Sequence, residues 1–87
     1  VIHVKAGQTV EFRNNALITH TVTDDPKLAM DPKDSAAPAG AAPFNSGDLA
    51  PGQVFTQTFT VPGIYVYFCM HHESDGMVAQ VIVAPAP

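Results

Sequence analysis

The stretch Ile64-Tyr65-Val66-Tyr67-Phe68-Cys69-Met70-His71-His72-Glu73-Ser74-Asp75-Gly76-Met77 decides how the rest of the chain is read. Up to Cys69 it is apolar on both alternating faces, with Tyr65, Tyr67 and Cys69 on one side, the pattern of a central strand buried on both faces. Just upstream, Val61-Pro62-Gly63 signals a turn, and residues 54–60 before it alternate aromatic with threonine as another strand. Downstream, residues 78–83 read as the last strand and residues 84–87 as a Pro-terminated tail. Near the N-terminus, residues 1–4 are extended, Ala6-Gly7-Gln8 turns the chain, and residues 10–13 alternate. Val10 and Phe12 then face a core, with Glu11 and Arg13 in water. Residues 18–23 carry three threonines and read as a further strand. Six or seven short strands separated by turns predict an all-β fold, an antiparallel Greek-key β-sandwich.

Composition bounds the function. A chain of 87 residues sustains one core, so residues 1–87 are read as a single domain. Hydrophobic residues at 46% against 14% charged fit a compact domain rather than a disordered one. The longest apolar run, residues 64–70, is too short for membrane insertion. A net charge of −4 with only four basic residues argues against nucleic acid as a partner. The one cysteine excludes an internal disulfide, and there is no C-x-x-C-H for haem attachment. Starting at Val1 without an initiator Met, the chain reads as a processed product or a cut fragment. Residues 26–43, with four prolines and six alanines, read as a long surface loop with room for one helical turn before Pro32. Asp24 and Asp25 read as a solvated turn. His3 points outward with Val1 and Lys5 by alternation with Ile2 and Val4.

Few side chains here do more than pack. Each of them alone is ordinary: a lone Cys is usually a small core residue and a lone Met a filler. The conjunction is not ordinary. Cys69-x2-His72-x4-Met77 ends one buried strand and begins the next, and His20 lies forty-nine positions upstream on a segment able to run beside it. One thiolate, two imidazoles and one thioether form a soft, copper-selective set, and a His2Cys trigonal site with a long axial Met is associated with blue copper electron transfer. Zinc is disfavoured, since its structural sites use several Cys and His and no Met. An enzyme with Cys69 as nucleophile is disfavoured too, for want of an oxyanion-hole motif or room for a substrate cleft. His71 competes with His72 for the metal, but binding there would tighten the loop by one residue.

These motifs resemble the cupredoxins, specifically the plastocyanin, amicyanin and pseudoazurin group, along almost the whole chain. His3-Val4-Lys5-Ala6-Gly7-Gln8-Thr9-Val10 is similar to the family's strand, Gly turn and strand, and residues 14–21 to the segment delivering its first copper histidine. Leu49-Ala50-Pro51-Gly52 and Pro62-Gly63-Ile64-Tyr65 resemble the turns before the ligand loop, and Gly76-Met77-Val78 the opening of the closing strand. The resemblance implies that His20, Cys69, His72 and Met77 hold one type 1 copper ion. Three departures stand out. The additional strand that usually precedes the one begun by Val1 is missing, which leaves a sheet edge. Thr21 replaces an Asn that ties loops together, with its N–H still available to the Cys69 sulfur. His71 replaces a Pro, which restores an N–H that is available to the same sulfur.

The implied function is a monomeric electron carrier, not an enzyme, cycling Cu(I)/Cu(II) between a donor and an acceptor protein. Its compartment is periplasmic or otherwise extracytoplasmic, ahead of the thylakoid lumen. Leu17, Ile18 and residues 70–72 are candidates for an apolar rim around an exposed His72 edge. The alternative is a copper storage or delivery module, or a domain cut from a larger copper oxidase or reductase.

Overall fold

A computed structural model describes residues 1–86; Pro87, the end of the expected tail, lies outside the described residues. Among the described residues five strands form: β1 (Ile2–Lys5), β2 (Gln8–Arg13), β3 (Val54–Phe59), β4 (Gly63–Phe68) and β5 (Val78–Ala84). They make two sheets, one of order β1-β5-β4 and one pairing β2 with β3. The chain changes sheets within a single peptide unit. Ala6 N still bonds Ala84 O of the first sheet at 2.8 Å, while Gly7 N already bonds Phe59 O of the second at 2.7 Å. So abrupt a corner needs a left-handed residue, and Gly7 has φ of +95°.

Between the sheets lie Val10, Phe59, Tyr65, Val81 and Val83, joined by Val22, Phe44 and Leu49 from the connections. Phe59 sits edge-on to both Tyr65, at 4.9 Å between ring centroids, and Phe44, at 5.8 Å. As expected, Val10 is buried and Glu11 and Arg13 are exposed; Phe12 is half-buried and meets Tyr67 edge-on at 5.4 Å. His3, Val1 and Lys5 face solvent.

Three sequence expectations change. Not every pairing is antiparallel: β1 runs parallel to β5, with Ile2 opposite Val81. The central strand is β5, not β4, because β4 pairs with it on one edge only, and Ile64 remains 55% exposed. On its other edge β4 meets irregular chain, through Val66 with Ala36 and Phe68 with Thr23. Finally, residues 18–23 make isolated bridges instead of a strand. Two of their N–H groups are diverted to side chains, Thr21 N to the Cys69 sulfur and Val22 N to Ser46 Oγ, while His20 N and Thr23 N bond different segments at Leu49 O and Phe68 O, so no continuous ladder forms.

Residues 26–43 do form a surface connection, and it is fastened at intervals. A 3-10 turn, Pro32–Asp34, is capped by the Asp31 side chain on Lys33 N. Beyond it Ala36 exchanges two backbone bonds with Val66, at 3.1 and 2.8 Å. Pro38 then covers Gly63 so closely that a Cβ there would lie 2.8 Å from the Pro38 ring.

Candidate metal centre

Two segments bring the donors together. His20 is held by a reciprocal backbone pair with Leu49, at 3.1 and 2.7 Å. Asn14 fastens the run leading to it: its amide donates to Ile18 O at 2.8 Å and Leu49 O at 2.7 Å, and its oxygen accepts from Ala16 N at 2.9 Å. Three hydrogen bonds to one buried side chain fix a loop that has no ladder of its own. The second segment, residues 69–77, is a loop with a closed neck. Cys69 N donates to Met77 O at 3.1 Å, Met77 N to His72 O at 3.3 Å and His72 N to Cys69 O at 3.2 Å. Gly76, with φ of +80°, turns the tip back after a second 3-10 turn, Glu73–Asp75.

The result is a compact cluster. One ligand atom each from His20, Cys69 and His72 lies within 4.8 Å of the others. His20 Nδ1 is 3.6 Å from Cys69 Sγ, and the His20 and His72 ring centroids are 5.0 Å apart. Cys69 is only 3% exposed, and its sulfur accepts the Thr21 N–H at 3.3 Å. Met77 lines the same open groove as His20 and Cys69, a cavity of about 660 Å³ bounded also by Phe12, Asn14 and Tyr67. Its side chain is 42% exposed, so it stands at the rim.

Thr21 does the tying that an Asn side chain would do elsewhere. Its Oγ1 accepts the Met70 N–H at 2.8 Å and is itself within 3.0 Å of Thr23 Oγ1. The second bond to sulfur made available by an N–H at position 71 is not formed among the described residues. His71 turns away instead, its Nε2 at 2.6 Å from Asp48 Oδ1 on the exposed surface.

Asp24 corrects the expected solvated turn: it is 1% exposed. Its Oδ1 accepts Phe44 N at 2.6 Å, which draws the carboxylate inward, while Oδ2 is buried without a partner. Burial pushes its pKa up to about 6, the Phe44 N–H opposing and neighbouring Asp25 adding to the rise.

Sequence reasoning missed Glu73, Asn14 and Asp48. Glu73 is 6% exposed and accepts Met30 N at 2.8 Å and Asp31 N at 2.9 Å, one on each carboxylate oxygen. Those N–H groups, Asp31 first and then Met30, hold its carboxyl below the usual range, and hydrogen bonding to Glu73 pushes the Asp34 carboxyl up. A charged residue directly after a candidate ligand was the available signal. Its partners forty-two and forty-three positions away gave none.

A buried thiol, two converging imidazoles and a rim thioether suit a soft metal ion. The donor chemistry fits copper, because thiolate and thioether favour Cu(I) and imidazole accommodates both oxidation states. A β-sandwich presenting such a cluster from two loops defines a cupredoxin-type centre. The chain belongs to the plastocyanin/azurin family of copper binding proteins, whose family profile matches residues 1–84. It is 38% identical over 84 residues to the chloroplastic plastocyanin of Hordeum vulgare, covering 92% of this chain and 49% of that protein. To plastocyanin of Cucurbita pepo it is 38% identical over 82 residues, covering 92% and 79%. Among solved structures, a novel purple cupredoxin from Nitrosopumilus maritimus superposes with a TM-score of 0.72 at 25% identity, covering 95% of this chain and 76% of that one. The chain thus spans about half the length of the barley relative.

Proposed function

We propose that residues 1–87 act as one domain that holds a single type 1 copper ion on His20, Cys69, His72 and Met77 and carries single electrons between protein partners. The observation that carries this reading is the meeting of one 3% exposed thiol with two imidazoles, all donor atoms within 4.8 Å. Bound copper would supply the one-electron couple. The protein supplies fixed donors. Asn14 and the Leu49 pairing hold His20, the neck bonds hold Cys69 and His72, and the Thr21 N–H tunes the electron density on sulfur. Donors already in place need little rearrangement when the charge changes, which keeps the barrier to electron transfer low.

A carrier needs a docking face rather than a substrate pocket. Leu17 at 94% and Ile18 at 52% exposure stand on the loop that delivers His20 and supply an apolar contact beside the centre. The working compartment in this reading is extracytoplasmic, periplasmic ahead of lumenal, and the protein is a monomer. The described residues contain no helix long and apolar enough to cross a membrane.

The test is the absorption spectrum on adding Cu(II), followed by voltammetry. An intense thiolate–Cu(II) band, one copper per chain and fast reversible electron exchange are expected, with Cys69→Ala folded but colourless. A Cys69→Ala protein that keeps the visible band sinks the assignment. Weak colour with rapid loss of Cu(I) to a chelator points instead to delivery.

A further inference from the structure

We propose that Glu73 is a positioning residue for the metal centre: its carboxylate pins the turn after His72 to the backbone of residues 30–31, so that His72 is set opposite Cys69 before metal arrives. The proposal rests on the copper reading above. Its starting point is the backbone hold on His72, which lies inside the loop. The two backbone bonds made by His72 measure 3.2 and 3.3 Å, at the long end for N–H to O, and both stay within residues 69–77. The bond from Gly76 N to Glu73 O, at 2.9 Å, is also internal to the loop. The loop is tied outward at its start, where Cys69 Sγ and Met70 N bond Thr21, and a tie beyond His72 fixes its far end as well.

Two side chains beside His72 reach out of it. His71 meets Asp48, but those side chains are 45% and 66% exposed, and exposed ion pairs contribute little. Glu73 differs in each respect. It is buried, it is charged, and it takes two successive backbone N–H groups at 2.8 and 2.9 Å, one per oxygen. Charge-assisted bonds of this kind are roughly twice as strong as neutral ones. Being divided between two donors on adjacent residues, the grip resists rotation as well as displacement.

The anchor is firm enough to matter. Residues 30–31 sit between the turn at 25–28, closed by Leu28 N on Asp25 O at 3.0 Å, and the Pro32–Asp34 turn, closed by Asp34 N on Asp31 O at 2.9 Å. Two residues beyond that turn, Ala36 joins β4, the strand that ends next to Cys69. The clamp therefore ties the His72 end of the loop, through residues 30–36, to the strand that delivers Cys69. A ligand held this way loses less freedom on metal binding, which appears as affinity.

The experiment compares wild type, Glu73→Ala and Glu73→Gln. Copper affinity is read by chelator competition, the site by its visible spectrum, and the clamp by amide exchange in the metal-free proteins. Folded Glu73→Ala should bind copper roughly ten- to a hundredfold more weakly, the usual cost of losing a partner outside the ligand set, with a shifted thiolate band. Met30, Asp31 and His72 amides should exchange faster. Glu73→Gln keeps one acceptor oxygen and should fall between. Unchanged affinity and spectrum in folded Glu73→Ala overturn the proposal. If that variant does not fold, wild-type affinity in Glu73→Gln overturns it. Should wild type itself show no thiolate band, the copper reading fails, while unchanged His72 protection in metal-free Glu73→Ala separately removes the clamp.

Discussion

At Asp24 the folded protein holds a carboxyl with one oxygen on the Phe44 N–H and the other buried without a partner, and its pKa stands at about 6 against an ordinary 3.8. Below the ordinary value both folded and unfolded chains carry the proton and there is no penalty. Between the two values the folded state binds more protons, so stability falls as pH rises, and above about 6 the whole penalty is in place. A two-unit rise corresponds to about 3 kcal/mol, reduced to about 2 by screening and relaxation. Asp24→Asn keeps the acceptor for Phe44 but cannot ionise. Its stability relative to wild type should therefore improve by about 2 kcal/mol between pH 4 and pH 7, read by urea denaturation at both. Parallel stability curves would show that Asp24 is not the group responsible. The adjacent histidines allow a second comparison at this scale. His71 is committed to Asp48 while His72 joins the donor cluster, so His71→Ala should keep the thiolate band and His72→Ala should lose or strongly shift it. The opposite pattern moves the ligand to His71.

Among the elements, β4 has the most demanding neighbour. Gly63 opens it with φ of +142° and Pro38 lies where a Cβ would go. Gly63→Ala should destabilise the fold by about 1–3 kcal/mol, through backbone strain and overpacking together. A melting temperature equal to wild type would mean that the Pro38 segment moves aside freely. This contact also marks a limit of sequence reading. Residues 1–4, 10–13, 54–60 and 78–83 show their strands through alternation and turn residues, and the observed β1, β2, β3 and β5 fall on them within two residues. Residues 18–23 have equally good strand composition, yet Thr21 N and Val22 N go to sulfur and to Ser46, partners brought near only by the folded chain. Asp24 is misread for the same reason, since two aspartates with Lys27 close behind look solvated until Phe44 is seen to donate inward. The donor spacing from Cys69 to Met77 is local and visible. The meeting of His20 with it follows from the family resemblance, and the hold of Glu73 on residues 30–31 is visible in neither.

On the scale of the whole molecule, the centre joins two segments forty-nine positions apart that also meet through the Thr23–Phe68 backbone pair and the bonds of Thr21 to Cys69 and Met70. Metal bound there adds a crosslink to the folded state alone. At about a thousandfold excess over its dissociation constant, a ligand contributes about 4 kcal/mol. For a domain of this size that is a rise of more than about 10 °C in melting temperature. Scanning calorimetry with and without copper should show it in wild type and not in Cys69→Ala, and equal shifts in both would place the metal elsewhere.

The parallel pairing of β1 with β5 has a consequence for how the chain reaches this state. β5 lies between β1 and β4, so neither of these strands has its neighbour in this sheet until β5 is in place. Antiparallel β2 and β3 can associate earlier, but Ala6 must wait for Ala84. Such long-range pairing is slow, because loop closure precedes any gain from contact. Until β5 docks, that sheet stays open and Cys69 lacks its backbone bond to Met77, the residue just before β5. Docking of β5 is therefore the step that completes both the sheet and the neck of the loop carrying the thiol.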